Sequence, residues 1–394
     1  PQFCLLREID GTIQISLTQD AISYTQAHKL LQFILLMMTR FDRGGISPVC
    51  MLKLILSKAN KEVGMVSKKS FDDETSGRTS YIFLGCLFLL MLFTVPCAEA
   101  YDHIVTGFNM PENSLQTAGN GRIFVTSNGT VYEVMPDENL VEWPKTKVAN
   151  DVDQSCQFMG ITETNGYVYT VCTENFYAYY AVVRLFALEK YSGTIMTEVA
   201  NTKDNINLRK VDAPNGMTTD GKGNLYLADH GAPGYPGAVY KIHVSGENIV
   251  SEVNVSKIYS FKNCKANGIK YYNGYLYITV NPTGYIGLNQ LLRYKLDANG
   301  NMIADSRKVI FSSSYTLDDF FLIRDTVRNE DGCLIAQTTG ARVIHINEAG
   351  EVKNIVLFYI PSSVRLLQNN DLIVTDWVGA AAYIWQSDWG VVPR

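Results

Sequence analysis

The chain has 394 residues and a formal net charge of −5, which suits two average domains or one large all-β domain. It lacks a Lys/Arg cluster interleaved with aromatic residues, which excludes wholesale nucleic-acid binding. The 23 tyrosines, 30 glycines and short alternating apolar runs favour β structure, and no cysteine pair has the C-x-x-C spacing of a zinc finger.

The first hundred residues do not resemble ordinary folded sequence. Residues 1–64 show no clear periodicity and are interpreted as an N-terminal extension or upstream translated sequence. Residues 65–100 combine basic residues, an apolar run over 81–97 and the triplet Ala98-Glu99-Ala100, which predicts a signal peptide cut after Ala100. An uncleaved signal-anchor is the alternative, although the run is shorter than the roughly 20 residues of a membrane span. Either interpretation predicts that residues 101–394 are secreted or lumenal.

Two kinds of motif agree with an oxidising compartment. Glycosylation triplets begin at Asn128 and Asn254. Cys156 and Cys172 flank a predicted hairpin turn at 164–166, so they are expected to face each other across two strands. The two other cysteines of this region, Cys264 and Cys333, are interpreted as structural.

A unit of about fifty residues recurs six times after residue 100. Each unit has a small residue, an apolar strand, a turn and two further strands; the units start at Asn113, Met159, Asn215, Asn267, Asp318 and Ser362. This period predicts an all-β fold, a six-bladed β-propeller over 101–394 preceded by the signal peptide or signal-anchor. The sixth unit has no fourth strand of its own, so we expect residues 103–108 to supply it and close the ring.

In a propeller, the loops leading into the innermost strands converge on one face. The oxygen donors at these positions are Glu112, Asn215, Asn267 and Asp318 with Asp319. Two acids and two amides suit Ca²⁺, which prefers carboxylate and amide oxygens. The alternative is that each Asn-Gly pair is an ordinary turn, since Asn tolerates left-handed backbone angles.

The segments 213–229, 265–279 and 112–125 carry a family resemblance over roughly 101–390. They resemble the propellers of the gluconolactonase and senescence-marker-protein superfamily and its diisopropylfluorophosphatase, paraoxonase and strictosidine-synthase branches. The resemblance implies a channel calcium held by Glu112, Asn215, Asn267 and Asp318, with Asp319 as the alternative acid. Met159 and Arg365 stand where branches of this family have histidines, and Phe320 and Phe321 follow the acid. The metal site thus looks retained, and the usual proton-transfer partners do not.

Further candidates lie at the ends of second strands. His230 is the best candidate for a general base, because an unperturbed histidine titrates near pH ~6.5, and the alternative is an ordinary histidine at the rim. Three acids share this kind of position and three aromatic residues could line a pocket: Glu174, Asp229 and Asp376, then Trp377, Tyr235 and Tyr285.

The first expectation for function is a calcium-dependent hydrolase of a lactone, ester or phosphotriester that binds in the central channel. In it, Asp318 or Asp319 is the base or nucleophile and His230 assists. The second is a non-catalytic extracellular propeller that binds protein or glycan and holds a structural calcium. The third is a strictosidine-synthase-like enzyme. Neither nucleic acid nor membrane is an expected partner, apart from membrane attachment by an uncleaved anchor.

Overall fold

The computed structural model describes residues 5–9, 12–16, 101–150, 156–174, 182–205, 208–232, 235–244, 253–283, 287–386 and 389–394. The chain divides into two compact units, Pro1–Val95 and Pro96–Arg394. Within the first unit the described residues form one antiparallel hairpin of strands β1 (Leu5–Ile9) and β2 (Thr12–Ser16). The predicted signal sequence lies outside the described residues. Across the described ranges, no helix has the length and apolarity needed to span a membrane.

The second unit is a ring of six antiparallel sheets, or blades, and its inner strands contact one another in succession. Blade one contains β4 (Ser114–Gln116), β5 (Ile123–Ser127), β6 (Thr130–Val134) and β7 (Lys145–Asn150). Blade two contains β8 (Cys156–Thr164), β9 (Tyr167–Glu174), β10 (Val182–Glu189) and β11 (Thr197–Asn201). Blade three contains β12 (Pro214–Thr219), β13 (Asn224–Asp229), β14 (Ala238–Val244) and β15 (Val253–Ser260).

The other three blades repeat this order from the inner strand outward. Blade four contains β16 (Cys264–Tyr272), β17 (Tyr275–Pro282), β18 (Asn289–Lys295) and β19 (Lys308–Ser313). Blade five contains β20 (Leu317–Asp325), β21 (Glu330–Gln337), β22 (Arg342–Asn347) and β23 (Val352–Leu357). Blade six contains β24 (Pro361–Leu366), β25 (Asp371–Asp376) and β26 (Ala381–Gln386). The described helical segments are three short 3₁₀ turns, at Leu208–Lys210, Ala304–Ser306 and Thr338–Gly340.

The ring closes through strand β3 (His103–Val105), which pairs antiparallel with β26 as the fourth strand of blade six. This confirms the predicted closure, because the N-terminal segment supplies the strand that the sixth repeat lacks. Val105 is fully buried there and packs with Ile384 in a core cluster shared by blades six and one. Closure removes the open sheet edges that an incomplete ring would present.

Strand β27 (Val391–Pro393) was not predicted. It pairs with the inner strand of blade five over Ile323, Arg324 and Asp325, on the edge that faces the channel axis. Blade five therefore has five strands, and its fifth covers the inner strand at the end farther from the candidate site. Arg394 continues across to blade four, where its guanidinium lies 4.1 Å from the centre of the Tyr272 ring.

The core lies between neighbouring blades. One cluster, for example, joins Leu185 of blade two to Leu227 and Tyr240 of blade three, and all three are fully buried. Fully burying such a side chain stabilises the fold by roughly 1.5–3 kcal/mol. The blade faces are thus the apolar surfaces, which leaves the inner edges of the blades to carry polar groups.

The disulfide joins Cys156 and Cys172, with 5.6 Å between their Cα atoms, as the sequence predicts. The two residues are diagonal rather than directly opposite, because Cys172 pairs with Phe158 and Cys156 pairs with Glu174. Cys264 is half-buried and Cys333 is buried, and both are free thiols.

Candidate functional site

A β-bulge interrupts the inner strand of blades two to six near its start. In blades three, four and five the extra residue lies within Asn215-Gly216, Asn267-Gly268 and Asp318-Asp319. A bulge places two residues opposite one and so re-aims a side chain that a regular strand would direct at the next blade. The sequence-predicted donors of blades three, four and five therefore occupy equivalent positions on one face, and each is at least 94% buried.

The same local geometry explains the glycines. A Cβ added to Gly160 would lie 2.4 Å from the Asn215 carbonyl oxygen, and one on Gly216 would lie 2.7 Å from that of Asn267. One on Gly268 would lie 2.7 Å from an Asp319 carboxylate oxygen. Each bulge glycine thus lets the inner strand of the next blade approach closely, which sets the spacing of the donors around the ring.

The turn interpretation of these two Asn-Gly pairs is wrong. The sequence has seven Asn-Gly pairs, and in five of them the glycine has a positive φ, as at Gly166 and Gly274. Gly216 and Gly268 do not have a positive φ and lie inside strands β12 and β16. Their asparagines are therefore free to present amide groups to the channel.

Glu112 and Asp318 form the electrostatic centre of the site. Burial, and then the charge of Asp318, raise the pKa of Glu112 well above its ordinary value. Burial raises the pKa of Asp318 to about 7. The groups that oppose these shifts, among the described residues, are three neutral donors: Trp377 on Glu112, and Thr338 and Asn267 on Asp318. Among the described residues, these two buried carboxyl groups are thus stabilised by neutral hydrogen-bond donors.

The donor set fits a hard cation such as Ca²⁺. The Asn267 side chain donates to Asp318, while its Oδ1 is buried without a hydrogen-bond partner. A buried unpaired carbonyl oxygen is costly, and a cation would satisfy it. Within the described ranges no cluster of three or more His, Cys, Asp and Glu is arranged to hold a metal, so a cation here depends on the two amide oxygens as well as the two carboxylates.

Asp319 has a different environment from Asp318. Both of its carboxylate oxygens accept hydrogen bonds from Lys270 Nζ, at 2.6 and 2.7 Å. Burial lowers the pKa of Arg365 to about 10, and the charge of Asp319 opposes that shift. The Arg365 guanidinium donates to the Ser114 carbonyl oxygen and lies over the Phe321 ring. Asp319 is therefore neutralised inside the channel wall, which leaves Asp318 as the freer of the two acids.

His230 lies at the end of strand β13, where its backbone N–H donates to the Ala213 carbonyl oxygen. His230 is 8% exposed, and burial lowers its pKa to about 3, with the charge of Lys265 acting in the same direction. The imidazole is therefore neutral at physiological pH, and a pKa this low makes it a weak proton acceptor there.

The three acids at strand ends have structural partners. Asp229 accepts backbone N–H groups of Asp212 and Ala213, which lie in the loop leading into β12. Asp376 holds the corresponding loop of blade six through Tyr359 and Ile360. Glu174 forms a salt bridge with Arg184.

Of the three aromatic candidates, Trp377 adjoins the site directly. Its indole Nε1–H donates to Glu112 Oε2 at 2.7 Å. Tyr235 is 55% exposed on the same face, and Tyr285 lies outside the described residues. Sequence reasoning missed Lys270 and Thr338; Lys270 had one signal, because it follows Asn267 by three residues on the same inner strand.

Comparisons with known proteins bear on the fold. No protein-family model matches the chain, and no curated protein matches it significantly. Among solved structures, a luciferin-regenerating enzyme is similar at 15% identity and a TM-score of 0.51, covering 73% of this chain and 94% of that one. A calcium-binding regucalcin from Agrobacterium tumefaciens C58 matches at 13% identity and 0.51, covering 74% and 96%.

A third similar structure is the Malassezia sympodialis allergen Mala s 1, at 12% identity and a TM-score of 0.52 over 71% of this chain and 94% of the allergen. At these identities the likeness concerns the fold. The chain has the six-bladed β-propeller fold that its sequence motifs predicted.

Proposed function

We propose that this propeller is a calcium-dependent hydrolase of a lactone, ester or phosphotriester. Ca²⁺ would be held by Glu112, Asn215, Asn267 and Asp318, and the substrate would bind in the channel mouth above them. The calcium-binding regucalcin of similar fold supports the choice of cation, and hydrolysis is the chemistry that the sequence resemblance implies.

The observation that carries the proposal is the pairing of Glu112 and Asp318. Burial, and then the charge of Asp318, raise the pKa of Glu112, and the Asn267 Oδ1 beside them is buried without a hydrogen-bond partner. The four donors are thus two acids and two neutral amides, with no positive charge among them. Buried charges in proteins are normally paired or coordinate a metal. A protein with only a structural need at this point would be more stable with apolar side chains here.

When bound, the cation supplies Lewis acidity toward a carbonyl or phosphoryl oxygen. The chain's own residues supply the proton transfers. Asp318 accepts hydrogen bonds from two neutral groups, Thr338 and Asn267, and is the proposed base or nucleophile. His230 lies on the same face, and its lowered pKa makes it the weaker proton acceptor of the two. Asp319 is engaged by Lys270 and serves the channel wall instead.

The exposed side chains on the face of the ring that carries the four donors favour a substrate with an apolar part. Several loops of this face expose large apolar side chains, namely Met110, Tyr235, Leu288, Tyr315, Tyr359 and Val378. Binding sites for small molecules are mostly apolar with a few placed polar groups. The channel mouth combines both, since Glu112 lies two residues from Met110.

We also propose that the propeller works outside the cytosol, in the secretory lumen or extracellular space. The disulfide between Cys156 and Cys172 supports this location, because such bonds persist in oxidising compartments. Asn254 of the second glycosylation triplet is exposed on the outer strand of blade three, where a glycan would find room.

The test is metal content together with turnover. Purified protein, Glu112→Gln and Asn215→Ala would be analysed for bound metal and assayed on a lactone, aryl ester and phosphotriester panel with and without chelator. Glu174→Gln is the control, because this acid ends a second strand but pairs with Arg184. We expect one calcium per wild-type and control chain, lost in the two site variants, together with calcium-dependent turnover. Absence of calcium from the folded wild type would overturn the ligand assignment.

A non-catalytic propeller with a structural cation is the second candidate. The engagement of Asp319 by Lys270 favours it, since one of the two acids expected to do chemistry is occupied. In that case the exposed side chains of the mouth would contact a protein or glycan. Stoichiometric calcium without turnover on the whole panel would select this function over hydrolysis.

A further inference from the structure

We propose that Trp377 is a positioning residue of the candidate cation site, which orients Glu112 and whose fluorescence reports occupation of the site. The inference rests on the proposed function only in taking Glu112 as a cation ligand. It adds a residue from blade six, whereas the four donors belong to blades one, three, four and five.

The contact itself assigns different tasks to the two oxygens of Glu112. Oε2 accepts the indole Nε1–H at 2.7 Å, so the opposite oxygen, Oε1, is the one left for a cation. Glu112 is 7% exposed, and its backbone N–H donates to the Thr126 carbonyl oxygen, which fixes the start of the side chain as well. Glu112 is thus held at its backbone and at Oε2, while Oε1 stays open.

Trp377 is in turn held by a rigid turn. Its backbone N–H donates to the Ile360 carbonyl oxygen at 3.1 Å, and its own carbonyl oxygen accepts from Ala380. The preceding Asp376, fully buried, accepts N–H groups of Tyr359, Ile360 and Gly379 at 2.9 to 3.0 Å. These bonds tie the turn to the loop that leads into β24, so the indole has a defined direction before any ligand arrives.

The ring also spans two environments. Trp377 is half-buried, with its N–H on the carboxylate and its neighbour Val378 61% exposed at the mouth. Indole emission responds to nearby charge and to hydrogen bonding of its N–H. A dication placed against Glu112 changes both, so Trp377 is expected to sense it directly. The other three tryptophans lie elsewhere: Trp143 beside His103, and Trp389 beside Trp385 and His345.

The expected loss of calcium affinity follows from what is generally found for residues that orient metal ligands. Removing such a hydrogen-bond partner typically lowers metal affinity by 10–100-fold. Trp377→Phe keeps most of the ring volume and removes the donor. It should therefore weaken calcium binding by about that factor while the fold is retained.

The experiment titrates Ca²⁺ into chelator-treated full-length protein, followed in parallel by tryptophan emission and by calorimetry. Five proteins are compared: wild type, Trp377→Phe, Trp377→His, Trp389→Phe and Glu112→Gln. Wild type and Trp389→Phe should share one affinity and a saturable emission change. Trp377→Phe should lose the emission change and bind 10–100-fold more weakly in calorimetry. Trp377→His, which restores a ring N–H, should recover part of the affinity.

The outcomes separate this inference from the proposed site. Equal calorimetric affinity of wild type and Trp377→Phe would overturn the positioning role and leave the cation site intact. Calcium binding that survives Glu112→Gln, or no binding by wild type at all, would overturn the site and with it the role of Trp377. If Trp377→Phe does not fold, the Trp377→His variant decides. A folded Trp377→His protein that binds calcium no better than Glu112→Gln would refute the positioning role of the ring N–H.

Discussion

Replacing Asp318 by asparagine should stabilise the protein in chelator and deprive it of stabilisation by calcium. The reason is that the folded state raises the pKa of this buried carboxyl to about 7 from an ordinary 3.8. A carboxyl whose pKa rises on folding favours the folded state at low pH, and that contribution is lost as pH rises through about 7. At pH 8 without calcium, the ionised Asp318 is therefore a net cost.

The magnitude follows from the pKa difference. At 1.36 kcal/mol for each pKa unit, the rise from 3.8 to about 7 corresponds to about 4 kcal/mol at pH 8. Summed over the propeller, residues 101–394, an unfolding entropy of about 2.1 cal/mol/K per residue converts this free energy to a Tm roughly 7 °C higher for Asp318→Asn. If calcium binds as proposed, it should stabilise wild type by about 2.7 kcal/mol at 100 times its Kd and by about 4.1 kcal/mol at 1,000 times. The two Tm values should therefore meet near the thousandfold excess.

The assay is thermal unfolding between pH 4 and 8, in chelator and over a calcium series. Wild type in chelator should lose stability as pH rises over this range, and Asp318→Asn should lose less. Asp319→Asn is the matched control, because it removes the adjacent acid but leaves Lys270 buried and unpaired. Breaking a buried pair costs about 3–5 kcal/mol, so this variant should be destabilised with or without calcium.

One result would refute the reasoning: a lower Tm for Asp318→Asn in chelator at pH 8. That outcome would mean that the ionised carboxylate is already compensated in the cation-free protein. Parallel calcium responses of wild type and Asp318→Asn would separately exclude Asp318 as a ligand.

Two further predictions concern the scaffold. The double variant Cys156→Ser with Cys172→Ser removes a disulfide that links residues 16 positions apart, so it should lower the free energy of unfolding by about 3 kcal/mol in urea titrations. Reduced wild type should match the variant. Equal stability of the variant and oxidised wild type would contradict this prediction. Gly216→Ala should lower the free energy of unfolding by about 1–3 kcal/mol and weaken calcium binding, because the new Cβ would lie 2.7 Å from the Asn267 carbonyl oxygen. Met217→Leu is the control. Unchanged calcium affinity in a folded Gly216→Ala protein would disprove the link between the bulge and the site.

The ring could be predicted from the sequence because each repeat shows its own strands and turns in local sequence. Each predicted unit start from Met159 to Ser362 falls at or beside the bulge of an inner strand, since apolar strands and polar turns alternate at the blade period. Closure by residues 103–105 was also predictable, because the sixth unit has three strands and needs a partner. Strand β27 was not, since a three-residue pairing at Val391–Pro393 leaves no periodic signal.

The positions of the candidate donors could be predicted from the sequence, whereas their hydrogen-bond partners could not. The donors stand out as polar residues at equivalent unit positions. Which acid stays free depends on Lys270, which is 49 positions from Asp319 and reaches it from the neighbouring blade. Similarly, the seven Asn-Gly pairs look alike in sequence, and only the packing of Gly216 and Gly268 against the next inner strand separates donors from turns.

The closure of blade six has a consequence for the order of events during synthesis. Asp102 and Gln386, which hydrogen-bond at this seam, are 284 positions apart. At about 5–20 residues per second, strand β3 waits roughly 15–60 s for its partner to be made. The apolar cluster around Val105 and Phe108 is incomplete during that interval, because its members from blade six are made last. Glu112 and Trp377, which meet across the same seam, then come together only in the finished ring. A cation bound there would favour the closed ring over every earlier intermediate.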